Sequence, residues 1–290
     1  MLQDKTLLLM GGIVQYSIFH DVGSAGNVRG KQVAELLGAK LNPKSGFEDD
    51  VCIYVKIRPP EKHPKKTYLD VDDATDAVKW LQTHTDTGVI ANSSISRDYL
   101  FKLLKRDDIV CIPHIHCNYE NWVRPNRPVK KVGIIGSKTT FKYPIKDLRM
   151  ELEEIGLELI YNRDYWKVYG DEEGMTEYQR RMKVVDFYKS IDIQIVWRPD
   201  DTFSEEQKFL KNPNKLVNAS SFGIPTVAYP EKGFAEWFGS FVSANNIEYL
   251  IGACDELKNN PYYYEHYSSK ALIKSIANHK DNIKKLYLNL

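Results

Sequence analysis

Apolar and polar positions along this chain fall into blocks whose period keeps switching. Short continuous apolar runs, of the length of buried strands, give way to stretches where apolar residues recur every three or four positions, as on one helix face. "TLLLMGGIV" reads as a buried strand ending in glycines, followed by the loop "FHDVGSAGNVRG". "KQVAELLGA" reads as a helix with Val33, Leu36 and Leu37 on one side. "VCIYVKI" and "KKTYLDVDD" read as strands, the second ending in carboxylates, and "DAVKWLQTH" as a helix. "GVIANSS" is a strand running into the helix "SRDYLFKLL", with Ser94 or Ser96 the expected cap. "DIVCIPHI" is one more strand. Strands alternating with helices predict a mainly parallel sheet, with ligands outside the carboxyl ends of the strands.

The segment "NWVRPNRPVKK" then interrupts the pattern, and its prolines and basic residues suit a boundary over residues 121–131. After it the alternation restarts. "KVGIIGSKTTF" is strand then loop, "IKDLRMELEEIG" helix, "LELIYN" strand, "TEYQRRMKVVDFYKSI" helix and "DIQIVWR" strand. "KLVNASSFG" and "PTVAY" add a helix and a strand, and helical periodicity returns from "IEYLIGACDELKNN" to the final residues. The expected organisation is an α/β chain with one domain over 1–125, a second over 126–270 and a terminal helix over 271–290.

Composition narrows the class. With 290 residues, 42% hydrophobic and 27% charged, the chain is globular and long enough for two ordinary domains. Lys and Arg number 40 against 39 Asp and Glu, so no bulk attraction to nucleic acid or membrane is indicated. Cys52, Cys111, Cys117 and Cys254 lack close pairing and read as reduced thiols of a cytoplasmic protein. The apolar run in "MLQDKTLLLMGGI" is short for a secretory signal, and no run approaches a membrane span.

The segment "NPNKLVNASSFGIPTVAYPEKGFAEW", residues 212–237, carries the most chemistry. Asn212 suits an N-cap and Pro213 the first helical position. Lys215 then shares the first turn with unpaired backbone N–H groups, an arrangement that suits a phosphate or pyrophosphate. Gly223 and Pro225 end the helix, and the loop after "TVAY" returns to the same edge. The same residues also fit an ordinary helix–strand unit with its lysine in solvent.

"NKLVNASSFGIPTVAYPEKGFAEW" resembles the donor-site segment of GT-B glycosyltransferases, in which a Lys-Leu-x-x-Ala, small-residue, Gly-x-Pro-x-Val run precedes a loop and a glutamate. "GNVRGKQVAELLGA", "YLDVDDA", "GVIANSSISRDYL" and "VCIPHIHCNYEN" resemble the first-domain elements of the same proteins, and "VGIIGSKTTF" the start of their donor domain. The resemblance implies two Rossmann-like domains, with an acceptor on the first, a nucleotide-sugar on the second and the last helix crossing back to the first. It implies a UDP-sugar donor, UDP-glucose favoured, with no bound cofactor or metal because basic side chains and helix dipoles would hold the diphosphate. Retaining members carry two glutamates eight positions apart; the matching positions here are Leu210 and Asn218, so Glu231 and Glu236 become the nearby carboxylates.

The donor-side candidates are Gly136, Ser137, Lys138, Arg198, Lys215, Leu216, Asn218, Glu231 and Glu236, with Tyr165 or Trp166 as a wall for the base. His20, Asp21 and Asp72 are the candidates to contact or deprotonate the acceptor. In "YLDVDD", Asp70 and Asp72 form a D-x-D pair; the carboxylates suit an acceptor-side role, a metal site, or a simple helix cap at Asp73. His114, His116, Cys111 and Cys117 match no familiar zinc spacing. In "FHDVGSAGNVRGK", Gly23 and Gly26 would let a ligand approach the backbone and Arg29 would clamp an anion, or the segment is a mobile loop with a surface arginine. The acceptor is expected to be a glycan or small molecule. A hydroxymethylated DNA base is an alternative, since "KIRPPEKHPKK" and "VRPNRPVKK" supply local positive charge. A non-catalytic nucleotide or sugar binder of the same fold is the other.

Overall fold

A computed structural model describes residues 14–21, 23, 26–136, 141–161 and 174–290. It shows two parallel sheets. The first has β1 (Tyr16–His20), β2 (Lys40–Leu41), β3 (Val51–Val55), β4 (Thr67–Asp70), β5 (Gly88–Ala91) and β6 (Ile109–Cys111), in the order β2-β1-β3-β4-β5-β6. Interleaved with these are α1 (Gln32–Leu37), α2 (Thr75–Leu81) and α3 (Ser94–Leu104). A π-helical turn, Gly26–Lys31, leads into α1. β3 is buried at every position, as a central parallel strand covered on both faces should be. The expected strand "TLLLMGGIV" lies almost wholly outside the described residues. The strand at Tyr16–His20 claims Phe19 and His20, which the sequence pattern assigns to a loop.

The second sheet has β7 (Lys131–Ile134), β8 (Glu158–Tyr161), β9 (Ile193–Val196), β10 (Thr226–Ala228) and β11 (Val242–Ser243), in the order β11-β10-β9-β7-β8. Its helices are α4 (Ile145–Glu154), α5 (Glu177–Ser190), α6 (Glu205–Leu210), α7 (Asn214–Ser221), α8 (Ile247–Asn259) and α9 (Pro261–Ser275). Strand order reverses between β1 and β3 in the first sheet and between β7 and β9 in the second. Each reversal opens a crevice at the carboxyl ends, where α/β sheets bind ligands.

The expected terminal helix over 271–290 is broken. α9 ends at Ser275, a 3₁₀ turn spans Ile276–Asn278, and α10 covers Lys280–Tyr287. α9 packs on α7, where the Ser268 hydroxyl donates to Gly223 O at 2.7 Å. α10 belongs to the other sheet: Ile283 and Tyr287 are buried in one cluster with Tyr16, Ile18 and Val33. Tyr16 donates to Tyr287 O at 3.2 Å and Tyr68 to Leu290 O at 3.1 Å. The linker is fastened to the second domain. Asp192, 2% exposed, accepts from Arg124 at 2.9 Å, Arg127 at 2.8 Å and the backbone N–H groups of Lys130 and Lys131 at 2.9 Å.

α6 is absent from the sequence-based expectation, and its packing is unusual. It follows the second-domain strand β9, yet Leu210 is fully buried in the first-domain cluster with Leu69, Val71 and Leu100. Phe209 stacks on Tyr99 of α3, with centroids 4.9 Å apart and planes 2° apart. Ser204 and Gln207 form a capping box at its start. That S-x-x-Q signature, in "SEEQKFL", was the available signal.

Candidate functional site

On the first domain, β1 delivers His20 and Asp21 to the crevice edge. His20 Nδ1 lies 2.8 Å from Asp21 O. A carbonyl only accepts, so Nδ1 carries the proton and Nε2 holds the lone pair. Nε2 is buried and has no partner among the described residues. The glycines behind His20 serve its ring rather than a ligand. A Cβ on Gly26 would stand 2.7 Å from His20 Nδ1 and 2.1 Å from Asp21 O, and one on Gly30 would stand 2.7 Å from His20 Cδ2. Arg29 is also no anion clamp. It is 2% exposed, with Nε donating to Asp70 Oδ2 at 2.6 Å and Nη1 to Ile112 O at 3.1 Å.

Asp72 follows β4 with φ +46°, a left-handed conformation that non-glycine residues hold only under constraint. The constraint is visible. Its Oδ1 accepts from Asn92 Nδ2 at 3.1 Å and Asn212 Nδ2 at 2.9 Å, and lies 2.9 Å from His114 Nε2. Burial pushes the Asp72 carboxyl up, but the His114 hydrogen bond and the charges of His114, Arg29 and Lys56 more than offset it, so it stays well below the usual carboxylate range. A carboxylate so held is a poor proton acceptor, which corrects its expected part as an acceptor base. Asp73 pairs with Lys56 and, at 2.5 Å, with Lys211. Its side chain caps nothing, because the N-cap of α2 is Ala74; likewise Ser93, not Ser94 or Ser96, caps α3. All three carboxylates of "YLDVDD" are thus committed to protein partners. Among the described residues no group of three or more His, Cys, Asp or Glu could hold a metal ion.

His116 is buried, and desolvation followed by its neighbour His279 brings it down to about 3. The cysteines are unpaired thiols.

On the second domain, Gly136 follows β7 with φ +139°. Ser137, Lys138, Tyr165 and Trp166 lie outside the described residues. Arg198 follows β9 and Glu231 follows β10. Their side chains, 5% and 7% exposed, meet at 2.5 Å through Nε and Oε1, and Glu231 Oε2 is buried without a partner among the described residues. The Arg198 expected to be free for phosphates is therefore already paired, to a residue expected to hold sugar. Burial raises the Glu231 carboxyl and Arg198 draws it back.

Lys215, in the first turn of α7, is half-buried and forms no hydrogen bond or ion pair among the described residues. Burial, then the charge of Arg198, pushes its ammonium well below the ordinary lysine value of 10.5, with Glu231 opposing. The helix starts one residue later than expected: Pro213 is the N-cap, while Asn212 Oδ1 accepts from Asn214 N–H at 3.2 Å. By helix geometry the N–H groups of Lys215 and Leu216 have no acceptor within α7. The Leu216 side chain is core, packed with Val196, Ala228 and Phe234, so only its backbone is available to a ligand.

Two other donor-side candidates face protein instead. Asn218 accepts from Cys117 N–H at 2.8 Å and donates to Asn214 Oδ1 at 3.1 Å. Glu236 Oε2 accepts from Ser94 N–H at 3.2 Å and Ser94 Oγ–H at 2.5 Å. Both are ties between the domains. Sequence reasoning missed other ties, among them those in which Asn92 donates to Leu210 O at 2.9 Å and Asn212 reaches Asp72, because contacts between loops far apart in the chain leave no periodic trace.

No family profile matches this sequence, and no curated protein matches it. Solved structures do. The structure of TarM superposes with a TM-score of 0.54 at 14% identity, over 83% of this chain and 54% of that one. A mutant of S. aureus TarM in complex with fondaparinux, alpha-GlcNAc-glycerol and UDP gives 0.52 at 13% identity, over 85% and 52%. Accessory secretory protein 1, 2 and 3 of Streptococcus pneumoniae gives 0.50 at 11% identity, over 83% and 52%. The chain thus spans about half the length of these proteins. The likeness shows the fold, the GT-B arrangement of two Rossmann-like domains.

Proposed function

We propose that this protein transfers a sugar from a nucleoside diphosphate sugar to an acceptor hydroxyl, with UDP-glucose the first donor to test. The observation that carries the reading is Lys215: a half-buried ammonium with no hydrogen bond or ion pair among the described residues, in the first turn of α7, beside two backbone N–H groups. A cation partly withdrawn from water favours an anionic partner, and a diphosphate is an anion that a helix start accommodates. A UDP complex of a protein sharing the fold supports uridine as the first base to try.

In this reading the bond between the anomeric carbon and the β-phosphate oxygen breaks, and the acceptor oxygen bonds to that carbon. Lys215 and the N–H groups of Lys215 and Leu216 receive the charge that develops on the leaving diphosphate. Glu231 Oε2 accepts a sugar or ribose hydroxyl. His20 Nε2 takes the acceptor proton, with Nδ1–H anchored on Asp21 O. The acceptor is a glycan or small-molecule hydroxyl. Charge neutralisation comes from the protein, so turnover persists in excess EDTA.

The test is release of UDP from UDP-glucose, alone and with candidate acceptors, beside a thermal-shift series over UDP, GDP and ADP. Stabilisation by a nucleoside diphosphate with sugar-dependent release supports the transferase reading. Stabilisation without any release reassigns the chain as a non-catalytic binder, and no stabilisation by any nucleotide refutes the reading.

A further inference from the structure

The loop that ends β4 and the loop that leads into α7 meet through one amide. Asn212 Nδ2 donates to Asp72 Oδ1 at 2.9 Å, while Asn212 Oδ1 accepts from Asn214 N–H, the first residue of α7, at 3.2 Å. A buried carboxylate of the first domain is thereby joined to the start of the helix that forms the candidate anion site on the second. Asn92 doubles the link, donating to Asp72 Oδ1 at 3.1 Å and to Leu210 O at 2.9 Å. Asp72 is a rigid anchor: 1% exposed, held in a left-handed backbone, its Oδ1 also 2.9 Å from His114 Nε2. Leu210, two residues before Asn212, is fully buried in the first-domain core.

We infer that Asp72 is a positioning residue for the anion site, acting through Asn212 to hold the first turn of α7 in register with the first domain. The inference rests on reading that site as one for a nucleoside diphosphate. It has a distinctive sign. A carboxylate near an anion site repels the anion, so on Coulomb grounds alone neutralising Asp72 would tighten binding. If Asp72 acts by positioning, neutralising it weakens binding.

The experiment is calorimetric titration of UDP into wild type, Asp72→Asn, Asn212→Ser and the double variant, with hydrogen–deuterium exchange of the peptide spanning 211–221. Asn leaves a neutral amide oxygen in place of the carboxylate, so the bond from Asn212 loses its charge assistance, and Ser keeps an oxygen near the Asn214 N–H while withdrawing the reach to Asp72. Each single change is expected to weaken UDP about threefold to tenfold, the size of one hydrogen bond lost or deprived of its charge assistance, and to raise exchange in 211–221. The double variant is expected to be no weaker than the worse single, because both changes act on one link. Unchanged or tighter binding in Asp72→Asn overturns the inference. Should Asp72→Asn fail to fold, Asn212→Ser decides alone: unaltered exchange and affinity overturn it. Lys215→Ala separates the two readings. UDP binding that Lys215→Ala weakens but Asp72→Asn does not keeps the proposed function and sinks this inference. UDP binding indifferent to Lys215→Ala sinks the proposed function, and exchange in Asn212→Ser then decides the inference.

Discussion

Two charged clusters, one on each domain, are finished to different degrees. On the first domain, Arg29 has Asp70 and the carbonyl of Ile112, Asp72 has Asn92, Asn212 and His114, and Asp73 has Lys56 and Lys211. Single atoms there, Arg29 Nη2 and Asp70 Oδ1, are buried without a partner among the described residues, but each of these charged side chains has a hydrogen-bonding or ionic partner. On the second, Arg198 and Glu231 pair, whereas Lys215 makes no hydrogen bond or ion pair among the described residues. The first cluster is the pattern of a structural network, in which removing a partner strands a buried charge. On the proposed reading, the second is a site whose last counterion arrives with the ligand. Conspicuous charges in a sequence therefore do not rank themselves. Arg29 and Lys215 each read as an anion clamp, and only their partners tell them apart.

The largest expected effect breaks the first cluster. Arg29→Met removes the cation that faces Asp70 in a site closed to water, and should cost about 3–5 kcal/mol in urea unfolding. A loss under about 1 kcal/mol would mean that Asp70 has another counterion and that the contrast between the clusters is false. Next is Leu210→Ala, which opens a cavity beneath α6 and should cost about 2–5 kcal/mol, while also loosening the domains. Loss of stability there with unchanged exchange in α3 would argue that α6 does not join them.

Smaller is Glu236→Ala. It leaves the Ser94 N–H and hydroxyl without their shared acceptor, at about 1–2 kcal/mol, and Glu236→Gln should recover part of it. The gentlest test sharpens the second cluster by pH. A depressed lysine loses its proton as pH rises, below the ordinary value of 10.5. UDP affinity should therefore fall with rising pH while other lysines remain charged. The terminal phosphate, with a second pKa of about 6, is already ionised there and does not confuse the profile. Lys215→Arg, whose guanidinium stays protonated, should flatten the decline.

The alternation of strands and helices was legible in the sequence because buried strands and one-sided helices leave periodic traces. Eight of the second domain's elements lie where "KVGIIG", "IKDLRMELEE", "LELIY", "EYQRRMKVVDFYKS", "DIQIV", "KLVNASS", "TVA" and "IEYLIGACDELKN" put them. The start of α7 was legible to within one residue for the same local reason, with Pro213 rather than Asn212 the N-cap. What was not legible is which side chains the fold uses for itself. Asn218 and Glu236 carry the right groups to hold a sugar, yet one serves Cys117 and the other Ser94, residues more than a hundred positions away. Leu210, the position that the sequence resemblance matches to a glutamate, is core of the opposite domain, a placement that no local pattern announces.

The central claim is that Lys215 is kept unpaired for a diphosphate, and calorimetric titration of UDP into wild type and Lys215→Ala at equal ionic strength tests it most directly. A charge-assisted hydrogen bond contributes about 1.5–3 kcal/mol, so the variant should bind UDP about tenfold to a hundredfold more weakly. Its thermal stability should be unchanged or higher, because a desolvated ammonium beside Arg198 and at a helix start disfavours the free fold. Equal affinity with an intact fold, or lost stability in place of lost affinity, would contradict the account.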